Sequence, residues 1–110
     1  MLCRVDGRSM APTLAPGDVL LARRARTASP GALVVVRWPE DRPVAVKRLV
    51  GRDPGGWWVE RDSPVEGVDS WSAGPVPADG LLAVVVARLW PRPRRFGPGD
   101  LRTAGERPTA

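Results

Sequence analysis

Thirteen prolines and twelve glycines are scattered through these 110 residues, and they leave no window of a dozen residues in which a helical period is sustained. What lies between them are short aliphatic runs of the kind that form strands. "APGDVLLARR" (Ala15 to Arg24) and "SPGALVVVRW" (Ser29 to Trp38) each set Pro-Gly before β-favouring residues, so each reads as a turn feeding a strand. Further strands are expected at Val44 to Val50 after "PEDRP", at Trp57 to Arg61 after "RDPGG", and at Leu81 to Leu89. The expected fold is therefore mainly β, with short strands and Pro/Gly turns arranged as coiled sheets around a small barrel-like core. Residues 1–92 read as one domain, and the Arg- and Pro-rich stretch 93–110 reads as a flexible tail with little to bury.

Composition then removes whole classes of chemistry. The sequence contains no histidine, which excludes Ser-His-Asp and Cys-His nucleophiles and most zinc and iron sites. Its one cysteine, Cys3, can form neither an internal disulfide nor a Cys-x-x-Cys site. No metal or cofactor is expected. The longest apolar run, Leu81 to Ala87, falls far short of the roughly 18–20 residues that span a bilayer, so no membrane span is expected. "MLCRVDGRSM" lacks the basic start and apolar core of a secretory signal, and the expected location is the cytoplasm. The formal charge is +5, and 16 of the 17 basic residues are arginine. The exception is Lys47.

That exception matters because arginine does not deprotonate in proteins, whereas lysine can. Without histidine, a nucleophilic Ser, Thr or Cys3 would have to use a carboxylate or the one lysine as its base, and Lys47 is the one amine side chain that could become neutral. Lowering a lysine pKa from about 10.4 to roughly 7–8 requires desolvation of the charged form. With a side-chain period of two, Lys47 shares a strand face with Ala45 and Leu49, while Val44, Val46 and Arg48 point the other way. Apolar neighbours of this kind, with Trp57 or Trp58, are candidate walls. Ser9, in "GRSMAPTLAPGD", is the candidate nucleophile.

These segments carry a family resemblance. "GRSMAPTLAPGDVLL", "VAVKRLVG" and "ERDSPVEGVDSWSAGPV" resemble, in order, the nucleophile, lysine and C-terminal motifs of type I signal peptidases and their soluble serine–lysine relatives, including repressors of the LexA kind. The resemblance implies Ser9 as nucleophile and Lys47 as general base. It places the oxyanion and substrate region at Gly7 and Met10, with the Ser9 N–H as a donor, and makes Arg48, Asp62, Asp69 and Ser70 supporting residues. Substrate would lie extended between the strand leading to the serine and the strand carrying the lysine. The third motif departs from the pattern. Relatives read Gly-Asp-Asn where this chain has Arg61-Asp62-Ser63, and Ser-x-Asp-Ser-Arg where it has Gly67-Val68-Asp69-Ser70-Trp71. The serine that would bond the lysine is thus Gly67, leaving Ser63, Ser70 or a water to position Lys47.

Short length and the "GWWVERDSP" segment resemble the small soluble maturation proteases associated with nickel-type superoxide dismutase. The implied partner is a protein substrate with an N-terminal leader, such as that enzyme's precursor, and not a nucleic acid. With eight residues ahead of Ser9, cleavage is expected in trans. Two other readings stay open: a homologue without turnover, and a basic β module binding nucleic acid or anionic surfaces through Arg88 to Arg95 and the Trp57-Trp58 pair.

Overall fold

The computed structural model describes residues 1–40, 42–64 and 67–96. The described chain is mainly β, as its punctuation predicts. The strands are β1 (Leu2–Arg4), β2 (Val19–Arg24), β3 (Leu33–Val36), β4 (Ala45–Asp53), β5 (Gly56–Glu60), β6 (Leu81–Trp90) and β7 (Arg94–Arg95). A four-residue helix, α1 (Ser70–Ala73), and a 3-10 turn over Ala78–Gly80 link β5 to β6. All strands join one antiparallel sheet in the order β1-β2-β6-β3-β4-β5, with β7 added to β6.

The run "LVVV" explains the centre of that sheet. On β3, Leu33 and Val35 enter one hydrophobic cluster with Met10, Leu14, Leu20, Val85 and Phe96. Val34 and Val36 enter a second, with Trp38, Leu49, Trp57, Val59 and Val76. Both faces of β3 are therefore covered, and a strand buried on both faces needs a continuous apolar run instead of alternation. Each fully buried side chain of this size contributes about 1.5–3 kcal/mol relative to exposure, which makes β3 the energetic centre of the fold.

The sheet must curl. Three strands separate β1 from β4 in the sheet order, yet residues Cys3 to Asp6 and Pro43 to Lys47 line one cavity of about 250 Å³. Register shifts at Val19/Leu20, Leu21/Ala22, Val35/Val36 and Leu49/Gly51 supply the bends, because a bulge increases local twist. The two strands thus face each other across a gap.

Two boundaries differ from expectation. The lysine-bearing strand starts at Ala45, not Val44, and continues to Asp53, closing a tight hairpin onto Gly56. Residues 94–96, expected within a flexible tail, are held: Arg94–Arg95 pair with β6, and Phe96 is buried in the first cluster. A lone phenylalanine in a polar stretch is enough to dock the segment. The rest of the expected tail, 97–110, lies outside the described residues.

Candidate active site

Ser9 sits on a loop whose neck is tied shut. The Val5 N–H donates to Asp18 O, and the Gly17 N–H to Val5 O, each near 2.9 Å. Inside the loop the Leu14 N–H donates to Met10 O, and both side chains plug into the first cluster at 0–1% exposure. Met10, expected near substrate, is thus chiefly an anchor, although it also lines the gap between β1 and β4. Anchored at neck and base, the loop presents Ser9 toward β4.

Lys47 comes from β4, opposite Val34, on the face it shares with Ala45 and Leu49. Its Nζ donates to Ser9 Oγ at 2.8 Å, and the side chain is buried. Burial pushes its pKa below the ordinary lysine value, Asp69 pulls it back up, and the Arg61 guanidinium pushes it further down. The tryptophan lining the cavity beside it is Trp38, in place of the expected Trp57 or Trp58. Trp57 is a core residue, and Trp58 stands edge-on to Trp71 at 5.4 Å. That split also removes the paired aromatic surface of the nucleic-acid reading.

The loop following β5 closes over the pair. The Ser63 N–H donates to Ser9 O at 2.8 Å. Gly67, with φ of +116°, lies so near Ser9 that a Cβ built on it would fall 2.3 Å from Ser9 Cβ. A serine at position 67, as the resembling family has it, does not fit this backbone. Glycine here is a steric requirement.

The supporting residues divide into two groups. Asp62 takes Arg48 Nη2 at 2.7 Å and Nε at 3.3 Å, and also accepts the Thr13 hydroxyl. Arg48 Nη1 donates to Gly31 O at 2.8 Å. The strand bearing Lys47, the loop bearing Ser9 and the segment after β5 are thereby tied to one buried carboxylate. Asp69 instead caps α1, accepting from the Trp71 N–H at 3.1 Å, and it also takes the Arg61 N–H at 3.3 Å. Its ion-pair partner is Arg61, at 3.8 Å. Arg61 therefore supplies the cation that relatives place where this chain has Trp71, and Trp71 donates its ring N–H to Glu60. Sequence reading missed Arg61 because its role depends on the loop folding back. Ser70, one candidate for positioning Lys47, accepts the Val59 N–H at 2.9 Å and fastens α1 to β5.

Among the described residues no protein acceptor takes the Ser9 N–H, and Gly7 stands beside it at positive φ on the rim of a cavity shared with Lys47. The described residues contain no cluster able to hold a metal ion, and no helix is long and apolar enough to cross a membrane. A buried amine on a hydroxyl, beside an open groove with an unpaired N–H, is an arrangement for acyl transfer.

The chain has a mainly β fold and belongs to the Peptidase S24-like family, whose model matches residues 1–65. It is also similar to mitochondrial inner membrane protease subunit 1 of Schizosaccharomyces pombe (strain 972 / ATCC 24843), with 36% identity across 80% of this chain and 72% of that protein.

Proposed function

We propose that this protein is a serine-type endopeptidase that removes an N-terminal leader from a partner protein in trans, with Ser9 as nucleophile and Lys47 as general base. The observation that carries the reading is the 2.8 Å contact between Lys47 Nζ and Ser9 Oγ in a chain without histidine. With the amine neutral, the hydroxyl donates to Nζ, and Lys47 takes its proton as Oγ attacks the scissile carbonyl. Negative charge develops on the carbonyl oxygen, facing the Ser9 N–H. Lys47, now protonated, gives its proton to the leaving amine. The same amine then activates the water that hydrolyses the acyl-enzyme. Burial supports the neutral form before attack, and Asp69 makes the protonated form tolerable after it.

The gap between Cys3–Asp6 and Pro43–Lys47 suits an extended segment that adds one strand between two exposed backbone edges. The finer reading, resting on the resemblance of the sequence, is that the leader belongs to a nickel-type superoxide dismutase precursor. Incubation of that precursor with the protein, followed by intact mass, tests both levels. The expected result is a single cut near the precursor's amino terminus, reduced at least 10³-fold by Ser9→Ala and at least 10²-fold by Lys47→Arg, both variants remaining folded. Retained turnover in Lys47→Arg would refute the mechanism, since arginine cannot accept the proton.

A further inference from the structure

A second cavity, of about 270 Å³, adjoins the gap and is lined by Ser9 and Lys47. Its walls are apolar: Trp38, held by its ring N–H on Gly74 O, with Pro43, Ala45 and Val68. Its mouth is charged. Arg8 and Arg42 both line it and both are exposed, and Asp6 is the one carboxylate among its described lining residues. Among the described residues neither arginine forms an ion pair or a side-chain hydrogen bond, while Arg48, Arg61 and Arg88 are each paired with an aspartate. Among its described residues, the cavity that abuts the reacting atoms therefore carries two unpaired guanidinium groups against one carboxylate.

We propose that this cavity selects substrates with an aspartate or glutamate close to the scissile bond, the carboxylate held by Arg8 and Arg42 and its stem packed on Trp38 and Ala45. The proposal rests on the peptidase reading above. Arg8 directly precedes Ser9, so neighbouring Cα atoms are only about 3.8 Å apart and the recognised side chain belongs to the few residues flanking the cut. Guanidinium groups suit the task because their planar fork engages a carboxylate by two parallel bonds. A lysine or arginine in the same place would meet two like charges beside a desolvated amine. Asp6 offsets one of these at most.

The test uses the full chain and alanine-rich decapeptides bearing a single Asp, Asn or Lys at each of four positions around a central Ala–Ala bond. Cleavage is read by mass, and binding by fluorescence anisotropy on the Ser9→Ala variant. At one position Asp is expected to exceed Asn by about tenfold in kcat/KM and in affinity, with Lys the poorest, because a charge-assisted contact is gained or a like charge imposed. Arg8→Gln with Arg42→Gln should equalise Asp and Asn, and Arg8→Glu with Arg42→Glu should favour Lys. Cleavage indifferent to charge at every position, or a preference that survives both replacements, overturns the proposal and leaves the peptidase reading standing. Arginine-dependent binding of acidic peptides without cleavage keeps the cavity assignment and overturns the peptidase reading. If peptides are neither bound nor cleaved, both fall.

Discussion

At the scale of single residues, the most informative position is the one where this chain departs from the family it resembles. Gly67 stands where relatives carry a serine expected to bond the lysine, and on sequence alone the loss reads as a weakened site. The backbone gives the opposite result. A Cβ at position 67 would lie 2.3 Å from Ser9 Cβ and 2.9 Å from Ser9 Cα, at a φ that side chains rarely adopt. Gly67→Ser is therefore expected to displace Ser9 from Lys47 instead of restoring a lost contact. Overpacking together with the backbone penalty should cost about 2 kcal/mol or more. Turnover should fall at least tenfold, since misplacement of a reacting group by about 1 Å can cost 10²-fold. Thermal unfolding and kcat on any cleaved peptide check both, and a gain in rate would show that the loop yields where the structure holds it close. Lys47 stood out as the one lysine, and Ser9, Asp62 and Asp69 as members of short motifs. Arg61 did not, being one arginine among sixteen until the loop brings it to Asp69.

At the scale of elements, the five longer strands were legible from punctuation, and the two shortest, the edge strand β1 and the added strand β7, were not. β1 is three residues and β7 two, too short for alternation to register. The four-residue α1 is specified by the reciprocal bonds of Asp69 and Ser72 at its start, a pattern with no apolar period behind it. The segment joining β5 to α1 also bears on the Lys47 amine, whose pKa is lowered chiefly by burial. Arg61 Nε donates to Ser63 O at 2.8 Å, and the guanidinium spans to Asp69 while its charge lowers the Lys47 pKa. In the proposed mechanism Lys47 acts when neutral, so activity should rise with pH through a limb lying below the ordinary lysine value. Folding follows the same sign: between the lowered pKa and 10.5 the unfolded chain binds more protons at Lys47, so this group's contribution to stability grows with pH across that window. Arg61→Met removes a cation from beside the amine. The acid limb of kcat/KM should then move to higher pH, and below it the rate should fall about tenfold per pH unit. Arg61→Lys keeps the charge and should keep the limb, even where kcat drops through loss of the carbonyl contacts. A limb unmoved in Arg61→Met would reduce the residue to a structural tie.

At the scale of the molecule, the site exists because a curled sheet brings together segments that lie far apart in sequence. Ser9 and Lys47 are separated by 38 positions, and strand order could not be read from the chain because pairing is set by non-local register. What fixes their approach is the linked set of Asp62, Arg48 and Thr13. Arg48 adjoins Lys47, Thr13 lies on the Ser9 loop, and Asp62 precedes the Ser63 amide that holds Ser9 O. The Arg48 and Asp62 side chains are only 9% and 7% exposed, so the ion pair between them replaces part of the solvation each charge has lost. Replacing Asp62 by alanine takes the carboxylate away from a buried guanidinium and frees the Thr13 hydroxyl. The expected loss is about 3–5 kcal/mol, the range found when one member of a buried pair is removed. Replacing both partners, as Arg48→Met with Asp62→Leu, removes the charges together and should recover much of that stability, because apolar substitutes for a buried pair are often neutral or better. Activity should not recover with it, since the double variant still lacks the acceptor for Thr13 and hence the tie between the nucleophile loop and the lysine strand. Urea unfolding and kcat on the same samples separate the two effects. Equal destabilisation of the single and double variants would show that the pair is not coupled, and recovered turnover in the double variant would show that the loop is held by its neck and its plugged side chains alone.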